Sequence, residues 1–160
     1  TGSIHDLVLI RFADVLLMRA EALIELNRES EALPLINQIR QRAQDSANGM
    51  VNYSDPDLKP VMEVALYQDG SNCVWNQEFA RYALRWERRL EFAMENMRFF
   101  DLVRWGICSE TMNKYFQSEK ARRSYLKEAV FTKNKNEYAP IPQQQIGYSK
   151  DVYKQNYGWK

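Results

Sequence analysis

Residues 6–27 constrain the fold most. Leu9, Phe12, Ala13, Leu16, Leu17, Ala20, Leu23 and Ile24 recur at helical spacing, and Asp6 stands where an N-cap is wanted. The run predicts a helix over Asp6–Asn27. Its apolar arc is wide, which calls for packing on two sides. Arg11, Asp14, Arg19, Glu21 and Glu25 interrupt the most apolar window, Leu7–Leu26, and a membrane-spanning helix does not tolerate that many charges. Ser30 opens a second helix whose inner face is Ala32, Leu33, Ile36, Ile39 and Ala43. Pro34 is expected near its first turn, where a missing N–H costs little.

A link of about three residues between two helices makes an antiparallel hairpin. Small and large residues alternate across it (Ala20, Leu23, Leu26, Ala32, Ile36), giving it a tetratricopeptide-like character. A lone unit of that kind cannot bury its faces, and roughly three are normally stacked. Residues 1–160 therefore read as one partial all-α domain, with an exposed apolar patch where further helices would pack. The first residues, TGSIH, show no initiator Met and no secretory signal, so the chain reads as a fragment, a mature product or a trimmed piece.

Residues 46–76 break the helical pattern with Gly49, Pro56, Pro60, Gly70 and many Asn, Asp and Ser. This is a loop excursion inside the domain, with a short helix expected around Pro60–Tyr67 and Asp57 near its start. Helical spacing returns from Asn76 to about Met97 through Phe79, Ala80, Ala83, Leu84, Leu90, Ala93 and Met94. Another turn or two follows to Trp105, and Gly106 ends it. Ser109–Val130 reads as a further helix with Met112, Phe116, Tyr125 and Leu126 inward. Residues 132–160 are irregular, with one short turn over Gln143–Ile146 closed by Gly147. Strand signal is nearly absent.

Several chemistries are excluded or disfavoured. Twenty-two basic against 21 acidic residues leave no field to attract nucleic acid or an anionic membrane. One His and two Cys cannot build a zinc cage or a disulfide-stapled fold, although a Cys73–Cys108 pair stays open. There is no nucleophile elbow, no glycine-rich phosphate loop and no H-E-x-x-H. Asp55, Asp57 and Asp69 match no calcium-loop spacing and read as turn formers. No metal and no cofactor is expected. Glu87, Glu91 and Glu95 lie four apart on one helix face. They read either as an acid/base pair or as an ion-pair lattice pinning that helix to its neighbours. The lattice is favoured, because arginines beside carboxylates stabilise the ionised form and a general acid needs the reverse. The basic stretch Lys114–Lys135 reads as a solvated helix face.

Three stretches, taken in order, resemble the C-terminal part of the SusD/RagB family of outer-membrane nutrient-binding lipoproteins of Bacteroidetes. The first is Arg11-Phe12-Ala13-Asp14-Val15-Leu16-Leu17-Met18-Arg19-Ala20-Glu21-Ala22-Leu23, followed by Ile36-Asn37-Gln38-Ile39-Arg40-Gln41-Arg42-Ala43. The second runs from Trp86-Glu87-Arg88-Arg89-Leu90-Glu91-Phe92 through Arg98-Phe99-Phe100-Asp101-Leu102-Val103-Arg104-Trp105-Gly106. The third is Pro140-Ile141-Pro142 with the close Gln155-Asn156-Tyr157-Gly158-Trp159. The resemblance implies an all-α fold of tetratricopeptide-like helices. It also implies non-catalytic capture of an oligosaccharide or polysaccharide at the cell surface. The implied partner is a SusC-type TonB-dependent transporter, over which the lipoprotein sits as a lid. Attachment to the outer membrane would be through an N-terminal lipid anchor that this chain lacks. The charged signature residues Glu87, Arg88, Glu91, Arg98, Asp101 and Arg104 look like scaffold.

Aromatic residues make up 12% of the chain, more ring than a core this size needs. Most, including Phe12, Phe79, Phe100 and Trp105, fall at core spacing. Tyr53, Tyr67 and Trp75 do not, and they lie in the polar excursion with Asp69 and Asn72. Rings stack on the C–H faces of sugars while Asn and Asp bond hydroxyls, so these five are the candidate ligand contacts. The competing expectation is that the rings pin the loop onto the helices. Three functions follow: a glycan-binding part of an importer, a helical-repeat scaffold for a protein or peptide, and, least favoured, a glycosidase using Glu87 or Glu91.

Overall fold

The computed structural model describes residues 9–49, 63–150 and 152–159. These residues form α-helices and one 3-10 turn, and their only extended pairing is a single Asp69–Cys73 bridge. The chain divides into two compact units, residues 1–94 and 95–160.

The first unit holds α1 (Phe12–Glu25), α2 (Glu29–Asn48) and α3 (Gln77–Glu91). α1 begins later than its periodicity predicts. Leu9 and Ile10 are exposed and non-helical, Arg11 at the N-cap is extended, and Asp6 lies outside the described residues. Leu9 and Phe12 are thus not core residues. What fixes the start is Arg11, whose guanidinium donates to the carboxylate of Glu91 at 2.8 Å and to its main-chain oxygen at 3.0 Å. α1 closes in a Schellman turn: Asn27, at φ 56°, donates to Ile24 and Arg28 donates to Leu23.

α2 starts at Glu29 and makes an antiparallel hairpin with α1, as the short link requires. Pro34 lies beyond the first turn, so it removes the bond that would run to the Ser30 carbonyl. The helix also continues through Ser46–Asn48, which the sequence pattern assigns to the loop. α3 is started by Asn76, whose side chain accepts from Phe79 N at 2.9 Å. It stops at Glu91 and not near Met97, because Phe92–Asn96 turn away with Met94 and Asn96 at positive φ. Ala20, Ala32, Ala80 and Ala83 are fully buried among Leu17, Ile24, Ile36 and Leu84. Small residues at the crossings let the three helices approach closely while the larger ones fill the gaps.

The second unit holds α4 (Met97–Arg104), α5 (Cys108–Glu119), a 3-10 turn at Ser124–Leu126 and α6 (Gln143–Tyr148). Its core is Leu102, Cys108 and Phe131, with Val103, Ile107, Met112 and Phe116 against them. Gly106, at φ 69°, ends α4 as its sequence predicts. α5 stops well short of Val130, and Tyr125 is exposed, not inward. α6 runs through Gly147 to Tyr148 instead of closing there. The irregular end of the chain is clasped: Gln155 bonds both N and O of Ile141, at 2.8 and 2.9 Å. Trp159 Nε1 donates to the Lys135 and Tyr138 carbonyls. Both cysteines are free thiols. No helix of the described residues is long and apolar enough to cross a membrane.

Candidate functional site

α2 turns one polar row, Asn37, Arg40 and Gln44, toward the extended residues 64–67. At i, i+3 and i+7 the three side chains stack along a single helix face. Asn37 takes both polar groups of Tyr67, donating to its carbonyl and accepting from its N–H, each at 2.9 Å. Arg40 Nε donates to the Ala65 carbonyl at 2.5 Å, and Gln44 donates to the Val64 carbonyl at 2.7 Å. Residues 63–67 are therefore not the short helix their sequence suggests; the part of that expectation at Pro60–Met62 lies outside the described residues. Two side-chain amides and a guanidinium do for this segment what a neighbouring strand would do for a sheet edge.

Four of the five candidate ligand contacts fall together on the stretch 63–76. Tyr67 is half-buried, with the Arg40 guanidinium 4.3 Å over its ring and Trp75 and Phe79 at 5.6 and 5.7 Å. Trp75 is only 8% exposed, and its Nε1 donates to the Glu29 carbonyl at 2.7 Å. Asp69 Oδ1 accepts from Trp75 N. Asn72 accepts from Gln68 N and donates to the Leu66 carbonyl. Tyr53 lies outside the described residues. The two rings anchor the loop to α2 and α3, and the two polar side chains shape its turn. Two exposed rings lie farther along α3, where Tyr82 packs edge-on to Trp86 at 6.2 Å and Arg89 covers the Trp86 indole at 4.9 Å.

Beside residues 63–76 lies a lattice of charge. Glu87, only 6% exposed in its side chain, accepts from Arg40 at 2.5 Å and from the Tyr67 hydroxyl at 3.2 Å. Glu91 receives Arg11 and Arg42 together. Arg88 reaches Asp14 at 2.7 Å, both groups buried. Burial and the neighbouring Glu87 carboxylate push the Tyr67 phenol up to about 12. A cavity of about 480 Å³ opens here, with Arg40, Arg42, Glu87 and Glu91 on its helical walls and Glu63 and Val64 on the opposite side. Three of the arginines in this lattice, Arg11 at the N-cap of α1 and Arg40 and Arg42 on α2, lie far in sequence from the carboxylates they hold, so the sequence did not show them as their partners. The i, i+3, i+7 polar spacing on α2 is the signal that could have found Asn37, Arg40 and Gln44.

A three-helix unit clasped by ion pairs, followed by a small unit with an irregular, side-chain-clasped end, defines an all-α protein of tetratricopeptide-like construction. The SusD family profile matches residues 1–159, and the chain belongs to that family. It is 34% identical over 107 residues to SusD-like protein P38 of Formosa agariphila, covering 67% of this chain and 18% of that protein. It is 34% identical over 105 residues to SusD-like protein P25 of the same organism, covering 66% and 16%. A crystal structure of a SusD homologue from Bacteroides thetaiotaomicron superposes with a TM-score of 0.68 at 29% identity, over 94% of this chain and 26% of that one. The chain thus spans under a fifth of the length of the curated relatives it matches.

Proposed function

We propose that this chain is the C-terminal part of a non-catalytic, glycan-binding component of a TonB-dependent uptake system at the outer-membrane surface. The observation that supports it is the family match across residues 1–159, joined by a structural neighbour at TM-score 0.68. The partner in this reading is a SusC-type transporter, and the ligand is an oligosaccharide or polysaccharide. The carboxylates support a binding role over a catalytic one, since Glu87 and Glu91 are tied to Arg40, Arg11 and Arg42. Ligand contact in this part of the protein is placed on the excursion carrying Tyr53, Tyr67, Asp69, Asn72 and Trp75. Within it Trp75 acts by holding the loop, because its ring is buried.

Affinity electrophoresis against a panel of neutral polysaccharides tests the reading. Retardation by at least one polysaccharide, weakened by Tyr67→Ala, is the expected result. Migration unchanged across the panel overturns the glycan function, while retardation indifferent to Tyr67→Ala overturns only the placement. Co-purification of a TonB-dependent receptor from solubilised outer membranes tests the partner. A second reading, a helical scaffold for a protein or peptide, is favoured by the apolar stripe Phe12, Val15, Met18 and Leu26 exposed along α1 and its end. Capture of a peptide partner with no glycan retardation would select it.

A further inference from the structure

We propose that residues 63–76 are a strap that opens and closes as one cooperative unit over the α2–α3 face, forming the removable wall of the charged cavity. The strap has no helix and only one bridge of its own, so its order comes from hooks on the helices. The hooks lie at its two ends. At the leading end Asn37, Arg40 and Gln44 hold the backbone of Val64, Ala65 and Tyr67. At the trailing end the Trp75 indole is bonded to Glu29. Between them the strap is stiffened by its own contacts: Asn72 braces Leu66 and Gln68, Asp69 braces Trp75, and the Tyr67 and Trp75 rings pack on each other. A hooked end therefore cannot lift without pulling on the other. Apart from the Tyr67 and Trp75 rings, which pack with Phe79, its side chains are exposed or only partly buried and its ties are side-chain bonds to backbone, which places the segment toward the low-stability end of the fold. Lifting it removes Glu63 and Val64 from the cavity and strips the Tyr67 hydroxyl from Glu87.

Native-state amide hydrogen exchange on the full chain tests this, read at the amides of Tyr67, Gly70 and Trp75, with Leu17 and Leu84 as helical references. The expected result is one shared opening for the three strap amides. Asn37→Ala accelerates Gly70 and Trp75 by roughly tenfold, although neither touches Asn37, because two hydrogen bonds are lost at the far end. Trp75→Phe, which keeps a ring and removes the Nε1 donor, accelerates Tyr67 in return. Leu17 and Leu84 stay unchanged in both. Acceleration confined to the amide next to each substitution overturns the cooperative strap. So does equal acceleration of the helical references, which would mean global loosening. The outcome is independent of any glycan.

Discussion

At the scale of the residue, the same device recurs three times: an amide side chain takes both polar groups of a distant backbone. Asn37 holds Tyr67, Asn113 holds Phe131 and Gln155 holds Ile141. Each leaves irregular backbone paired without a sheet, which is how this chain carries long loops on few helices. Tyr67 adds a titrating group to the first of these. Its phenol is raised from about 10 to about 12, first by burial and then by Glu87. Below about pH 10 both folded and unfolded chains keep that proton, so its contribution to stability is fully present. Between about 10 and about 12 the unfolded chain loses the proton while the folded one retains it, and stability falls. Urea unfolding followed from pH 9 to 12 should show that fall, and Tyr67→Phe should shrink it. At neutral pH the same variant should lose only about 1 kcal/mol, the worth of the Tyr67–Glu87 hydrogen bond. An unchanged alkaline slope in the variant would mean that Tyr67 is not the group responsible. Tyr67 and Trp75 were visible in the sequence as surplus aromatics, but not their burial. That depends on Glu29, Asn37 and Arg40, contacts between positions 25 to 46 residues apart.

At the scale of the element, local signals were legible where they rest on backbone chemistry. Gly106 ends α4 because φ 69° there favours a residue without Cβ, and the Schellman bonds Gly106 N to Val103 O and Ile107 N to Leu102 O close the turn. Asn76 starts α3 as the sequence suggested. Boundaries failed where periodicity continued past a tertiary cause: Arg11 fixes the start of α1 through Glu91, and the left-handed Met94 and Asn96 divide one apolar pattern into α3 and α4. The glycines separate the two cases experimentally. Gly147 sits within α6 with open space about its missing Cβ and no positive φ. Gly147→Ala should raise the urea midpoint, by about 0.5–1 kcal/mol in stability. Gly106 also has open space, so only its φ opposes a side chain. Gly106→Ala should lower stability by about 1 kcal/mol. Equal effects of the two substitutions would show that backbone conformation is not what distinguishes them.

At the scale of the whole molecule, the residue pattern implies two apolar arcs on α1, and among the described residues only one is covered. Ala13, Leu16, Leu17, Ala20, Leu23 and Ile24 are buried, while Phe12, Val15 and Met18 are exposed on the other side, with Leu26 just beyond the helix end. This is the exposed patch that the lone-hairpin argument requires. Fold class was legible because helical period and short links are local properties, whereas the use of each face depends on what packs against it. Since the stripe faces solvent here, replacing it should not cost core energy. The double variant Val15→Lys, Met18→Glu should keep the cooperative unfolding midpoint within a few degrees, because surface substitutions away from caps and ion pairs usually change stability by about 0.5 kcal/mol or less. It should also reduce binding of a hydrophobic dye and self-association in analytical ultracentrifugation, since contiguous apolar surface drives both. Control substitutions at Leu17 and Ala20, in the same stretch of α1 but on the buried arc, should abolish cooperative unfolding. If the Val15, Met18 pair behaves like the Leu17, Ala20 pair, α1 is covered on both sides and the hairpin does not offer a face to a partner.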